Sequence, residues 1–197
     1  MKSFMNSSYH FTVPDFKKIR VIIDTDAKNE SDDQFAIVHA LLTQKFIVKG
    51  IIAAHFGTRR TNASMTESYG EIRKVLALMN ASAEIDAVHG YPTAIPVALP
   101  VASPGARPGM MPDEKATDNR PIPSCEGSDL IIREALSDDP HPLYCIFLGP
   151  LTDIAIALLK CPEIENRPIR MYSDIDSRFI LEDFFSKIKI NYPQSWQ

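Results

Sequence analysis

Positive charge is in short supply in this chain. Its 197 residues carry 21 Lys and Arg against 25 Asp and Glu, a net charge of −4, and no basic stripe. The electrostatic footprint of a nucleic-acid binder is therefore missing. No apolar run approaches the ~20 residues that a membrane-spanning helix needs. The first residues, MKSFMNSSYHFTVPDFKK, contain no apolar core of the kind a secretory signal requires. The 3 cysteines, Cys125, Cys145 and Cys161, are odd in number and scattered, with no CxxC pair, which argues against a disulfide framework and a zinc site. A reducing, cytoplasmic compartment is the expectation, with Cys145 an inert thiol inside an apolar run. Domain-scale repeats are absent.

What is present is an alternation of short apolar runs and amphipathic stretches. The composition, 45% hydrophobic and 23% charged, is that of a globular protein long enough to bury a substantial core. Residues 19–23 (IRVII) read as a buried strand, and DTDAKNESDD follows directly. From Asp32 a helical pattern places Phe35, Ile37, Val38, Leu41 and Leu42 at 3.6-residue spacing. Residues 46–54 read as a second strand, 65–80 as a second helix and 85–88 as a brief third strand. A helix over 126–138 with Ser128 as its cap, a strand over 143–148, and a helix over 154–160 come next, with Pro150 in a first-turn position and Pro162 as the stop. A further strand starts at Ile169. Strands alternating with helices predict an α/β fold, an open and mostly parallel sheet with helices on both faces.

Two stretches break the alternation. Prolines stand at 92, 96, 100, 104, 108 and 112, one every four residues, so residues 90–123 are an extended or looped segment, either a functional lid or a plain surface crossover. Residues 1–18 read as a loose leader. Residues 171–197 carry Phe179, Ile180, Phe184 and Ile188 in an amphipathic pattern compatible with a terminal helix.

The strongest chemical signal is the acidic run at 24–33. Asp24, Asp26, Glu30, Asp32 and Asp33 fall within ten residues, directly after a buried strand. Ligands of open α/β sheets bind at the carboxyl ends of strands. Converging carboxylates repel one another unless a cation compensates, and hard divalent cations take carboxylate and carbonyl oxygens. The run reads as a Ca²⁺ or Mg²⁺ site, the plain alternative being a solvated acidic loop. A second signal, Leu148-Gly149-Pro150-Leu151-Thr152-Asp153, also follows a strand, and its Gly-Pro turn exposes strand-end carbonyls.

Taken together, DTDAKNESDD and GPLTDIA, with VHGYP between them, resemble the inosine–uridine preferring nucleoside hydrolase family over about residues 19–170. The resemblance implies the Rossmann-like fold of that family, Ca²⁺ as cofactor, a small-molecule nucleoside or related ribosyl substrate, and a possible homo-oligomer. It implies that Asp26 both ligates Ca²⁺ and acts as general base on the attacking water. Asp33 is implied as a second carboxylate ligand and the Leu148 carbonyl as a main-chain ligand. Asp32 would hold the ribose hydroxyls, and Asp24 would orient the cluster. Departure of the base leaves an oxocarbenium-like ribosyl centre that carboxylates stabilise, as in glycoside hydrolysis.

The sequence also departs from the family pattern. Five residues, 27–31, separate Asp26 from Asp32, a longer loop than the family's, and they bring in Lys28, Asn29 and Glu30. Asn29 could add a carboxamide to the pocket. His55 stands where the family has a Gly-Asn pair and could touch substrate, or be a core or loop histidine. Asp153 replaces the family's Asn and reads as a helix-packing or capping residue. His141, before a proline, is a poor candidate for the acid that assists the leaving base. No segment after about residue 170 matches the family's late Asp and His, so the expectation is a front part of the fold with a divergent 171–197 tail. Binding of metal or nucleoside without turnover is then the alternative to catalysis. A haloacid-dehalogenase-type phosphatase, with Asp24 as nucleophile, is a third reading.

Overall fold

The computed structural model describes residues 11–93 and 122–173. Five strands form one parallel sheet in the order β3-β2-β1-β4-β5. They are β1 (Ile19–Thr25), β2 (Phe46–Ala53), β3 (Ala87–His89), β4 (Leu143–Phe147) and β5 (Ile169–Ser173). Helices α1 (Asp32–Leu42), α2 (Ser64–Leu78), α3 (Glu126–Leu136) and α4 (Thr152–Lys160) provide the crossovers. The α/β alternation expected from the sequence is therefore the architecture observed. Most of the polyproline-like segment and of the 171–197 tail, Phe179, Ile180, Phe184 and Ile188 included, lie outside the described residues.

β1 is central and pairs with both β2 and β4, so its residues from Arg20 onward are all buried. Burial on both faces is why this strand reads as a continuous apolar run rather than an alternating one. On one face, Val21, Ile23, Val48 and Ile51 meet Ile37 and Leu41 of α1 and Ile72, Val75 and Leu76 of α2 in a single cluster. On the other face α3 presses close. A Cβ on Gly50 would come within 2.8 Å of Leu130, and one on Gly127 within 2.6 Å of Ile52. Register slips by one residue at this point, where Val21 pairs with Val48 but Ile22 with Gly50. The bulge sets Lys49 aside to pair with Glu134 of α3 at 3.3 Å.

Three local expectations shift. The third strand begins at Ala87 rather than 85, because Ile85 is 7% exposed within the core cluster and turns inward ahead of the strand. The cap of α3 is Cys125 rather than Ser128. The Cys125 sulfur accepts from the Ser128 N–H at 3.4 Å, and Ser128, the third helical residue, completes a capping box. Pro150 lies two residues before α4, which starts at Thr152, so it shapes the turn rather than the first helical turn. Among the described residues no helix is long and apolar enough to cross a membrane.

At the amino ends of the strands, Arg20 is 3% exposed and donates to the His141 carbonyl (2.8 Å), the Glu134 carbonyl (2.5 Å) and Ser137 Oγ (2.7 Å). His141 itself bonds Asp139 at 2.7 Å and the Asp15 carbonyl at 3.0 Å. That places His141 at the pole opposite the carboxyl ends of the strands, in keeping with its reading as a poor leaving-group acid.

Candidate active site

The strand order dictates where a site can form. The chain moves outward from β1 to β2 to β3, then returns over the sheet to β4 beside β1. Connections on the two sides of that reversal pack on opposite faces and leave a crevice at the carboxyl ends of β1 and β4. The acidic run leaves β1 there and the Gly-Pro turn leaves β4. The Leu148 N–H donates to the Asp24 carbonyl at 2.8 Å and the Ala54 N–H to the Thr25 carbonyl at 2.8 Å, which locks the three strand ends together.

Gly149 explains how the two motifs touch. A Cβ there would lie 3.1 Å from the Asp26 nitrogen and 3.2 Å from its Cβ and Cγ. A side chain there would press on Asp26, so glycine lets the turn after β4 approach it closely without displacement. Asp26 is 8% exposed and Asp33, in the first turn of α1, is 5% exposed. Burial, then the Asp26 charge, pushes the Asp33 carboxyl up to about 7. Asp24 is 1% exposed, and neither of its oxygens has a hydrogen-bond partner. Burial, then the charges of Asp153 and Asp26, raises its pKa well above the carboxylate range. Asp32, next to Asp33, is exposed at the start of α1 and faces solvent at the crevice end of the sheet.

Asn29 turns back onto the cluster. Its Nδ2 donates to Asp26 Oδ2 at 3.1 Å, and its backbone N–H donates to the Asp26 carbonyl at 2.7 Å. His55 is 5% exposed, just past β2. Its Nδ1 accepts from the Gly57 N–H at 3.2 Å, which leaves Nε2 as the donor to Thr152 Oγ1 at 3.0 Å. Burial lowers its pKa. Both ring nitrogens are thus committed to the protein, and the imidazole is a neutral tie between the β2 end and α4.

Asp153 carries more than the packing role its sequence context indicates. It is fully buried, and its Oδ1 accepts from the Tyr91 N–H and from the Cys125 thiol, each at 2.9 Å. Its Oδ2 has no partner. Burial raises its pKa to about 6. A Cβ on Gly90 would come within 2.6 Å of Oδ2, and one on Gly127 within 2.8 Å of Oδ1. One side chain therefore gathers the end of β3, the cap of α3 and the start of α4. The signal in the sequence was the pair of glycines in HGYP and CEGS, each placed where a carboxylate passes.

The donor set suits a hard divalent cation. Asp26 and Asp33 crowd each other, Asp24 is buried beside them without partners, and positive charge would offset all three repulsions. Among the described residues, however, no three His, Cys, Asp or Glu side chains are grouped so as to hold a metal ion. The phosphatase reading fares worse, because it needs Asp24 as an accessible nucleophile and Asp24 is sealed inside β1.

A family model described as cellulose-binding Sde182, nucleoside hydrolase-like domain, matches residues 20–191. Among solved structures, a plant nucleoside hydrolase, the PpNRh1 enzyme, is similar with TM-score 0.53 and 20% identity over 79% of this chain and 47% of its own. A purine-preferring ribonucleoside hydrolase from Gardnerella vaginalis gives TM-score 0.53 and 22% identity over 78% of this chain and 48% of its own. A nucleoside hydrolase-related protein from Saccharophagus degradans, associated with carbohydrate metabolism, gives 0.51 and 17% over 79% and 38%. At these identities the likeness shows the fold. This chain spans less than half the length of each of these structures. A comparison with curated proteins finds no match.

Proposed function

The chain belongs to the family of the cellulose-binding Sde182 nucleoside hydrolase-like domain, and from that premise we propose that its crevice is the metal-holding part of a Ca²⁺-dependent N-glycosyl hydrolase centre. The substrate class is a ribonucleoside or a related ribosyl compound. The observation that carries the reading is the contact of the two motifs at the topological switch point, with Gly149 against Asp26 and Asp26 beside Asp33.

In this reading Asp26, Asp33 and the Leu148 carbonyl hold the cation. Bound there, the cation would supply positive charge that lowers the pKa of a nearby water. Asp26 accepts the proton of the attacking water as general base. Asp32, exposed at the mouth, bonds the ribose hydroxyls and orients the sugar. Asp24 sits two residues deeper, inside β1, where its carboxyl shapes the field at the cluster and excludes water from beneath it. His55 does not contact substrate in this assignment, since both of its nitrogens are used. The three thiols, Cys125, Cys145 and Cys161, are free.

A second reading is binding of metal and sugar without turnover. It is favoured by the absence of a three-ligand side-chain group among the described residues, and the cellulose-binding description of the family would extend the ligand from a ribosyl unit to a saccharide. Calorimetric titration of the purified chain with CaCl₂, with Asp26→Ala and Asp33→Ala as controls, tests the metal assignment. Unchanged binding in both variants rejects it. Incubation with inosine and with uridine, followed for free base and ribose, then separates the two readings: release of base supports the hydrolase, and calcium-dependent binding without release supports the binder.

A further inference from the structure

The loop that separates Asp26 from α1 is held at both ends of its length. Asn29 closes a tight turn on Asp26 through its backbone N–H (2.7 Å) and clamps Asp26 Oδ2 through its side-chain amide (3.1 Å). Behind Asn29 stands Arg60, from the segment between β2 and α2, whose Nη1 donates to the Asn29 carbonyl at 2.7 Å. The neighbouring residues of the loop are fastened to α2. Lys28 Nζ pairs with Glu71 Oε2 at 3.3 Å, and Gln34 Nε2 donates to the Ala27 carbonyl at 2.8 Å while reaching Glu71 Oε1 at 3.5 Å. Lys28 and Lys74, which is 3.2 Å away, hold the Glu71 carboxyl below its usual range against the opposing effect of burial.

We infer that Asn29 and Arg60 are positioning residues for Asp26, Arg60 fixing the Asn29 peptide and the Asn29 amide fixing one oxygen of the Asp26 carboxyl. The inference rests on the reading of Asp26 as a metal ligand. It adds a role to Asn29, one of whose two amide N–H donors is used on Asp26. An amide donor to a carboxylate oxygen holds the side chain in one rotamer, which a cation needs from a ligand. Partners that orient ligands in this way typically matter tenfold or more for metal affinity. An exposed guanidinium–carbonyl contact, by contrast, adds little to global stability. Affinity and stability should therefore separate.

The test uses the full chain and CaCl₂ as the probe. Calorimetry should show Asn29→Ala binding calcium about tenfold more weakly than the parent, and Arg60→Ala several-fold more weakly. Arg60→Lys, which keeps a donor within reach of the Asn29 carbonyl, should recover most of the loss. Arg59→Ala, which removes a charge from the same segment but not the contact, should stay within about twofold, and the metal-free thermal midpoints of the three arginine variants should match the parent. Parent-like affinity in Arg60→Ala, or an equal loss in Arg59→Ala, overturns the inference. If the parent binds no calcium, the metal reading of Asp26 fails on its own account. The relay is then decided by amide hydrogen exchange in the metal-free chain. Loss of protection at the Asn29 N–H in Arg60→Ala supports it, and unchanged protection overturns it.

Discussion

Asp153 stands where the resembled family has an asparagine, and the exchange has a cost that the surroundings reveal. Its Oδ1 accepts two hydrogen bonds while Oδ2 is buried without a partner, and Asp24, equally buried, lies close enough for the Asp153 charge to raise its pKa. With its pKa raised from 3.8 to about 6, the carboxyl binds its proton more tightly in the folded chain than in the unfolded one. Its contribution is therefore complete below about pH 4 and is lost as pH rises through about 6. Asp153→Asn keeps the acceptor for Tyr91 and Cys125, removes the charge and offers Asp24 an amide. We expect this variant to be more stable than the parent at pH 8, by on the order of 2 kcal/mol, and the two to converge at pH 4. Urea unfolding at the two pH values checks it. A parent that is equally stable relative to Asp153→Asn at both pH values would show that Asp153 is not penalised by ionisation. Beyond the two glycines, Gly90 and Gly127, little of this is legible in the sequence, where Asp153 reads as a helix-packing or capping residue. The partners that define its state, Tyr91 and Cys125, are 62 and 28 positions away.

At the level of elements, the helices and strands followed closely from periodicity, and the misses have a common physical origin. The apolar pattern starts β3 two residues early because Ile85 is as apolar as a strand residue but serves the core from the turn before it. The sequence points to Ser128 as the cap of α3 because serine is a standard capping residue and cysteine is not. The structure uses both, with the Cys125 sulfur as acceptor for the Ser128 N–H and its thiol as donor to Asp153. Burial and the Asp153 charge push that thiol's pKa up to about 12, so it remains a donor at any physiological pH. Cys125→Ser supplies a better acceptor with its donor intact and is expected to be neutral or slightly stabilising. Cys125→Ala deprives α3 of its cap and Asp153 of a bond, and should cost about 1–2 kcal/mol. Thermal unfolding of the two variants side by side distinguishes a capping thiol from a merely buried one, for which alanine and serine would cost alike.

On the scale of the whole molecule, the sheet separates two kinds of polar chemistry. Acidic groups gather at the carboxyl ends of the strands, in the crevice made by the β1–β4 reversal, and a basic staple built on Arg20 closes the amino ends. The acidic pole could be read from the sequence because its residues are contiguous in one run and one turn. The basic pole could not, since nothing local to the buried strand 19–23 names the partners of Arg20, and the fold brings Glu134, Ser137 and His141 to it across more than a hundred positions. The two poles should respond oppositely to mutation. Arg20→Leu fits the apolar strand but leaves the buried Glu134 with Lys49 as its remaining ion-pair partner from the sheet and frees two backbone carbonyls. Stripping one member from a buried ion pair costs about 3 kcal/mol, so this variant should unfold at distinctly lower urea. If the proposed metal site is right, calcium affinity should stay at the parental value, measured at a temperature where the variant remains folded, because Asp26, Asp33 and Leu148 are held at the far ends of the strands by the Leu148–Asp24 and Ala54–Thr25 bonds. The reverse holds for Asp33→Asn. It removes a carboxyl whose ionisation is opposed by burial and by Asp26, so it should leave urea stability intact or improved while weakening calcium. A fold in which both variants lost stability and affinity together would mean that the sheet couples its poles, and that the site is part of the core rather than mounted on it.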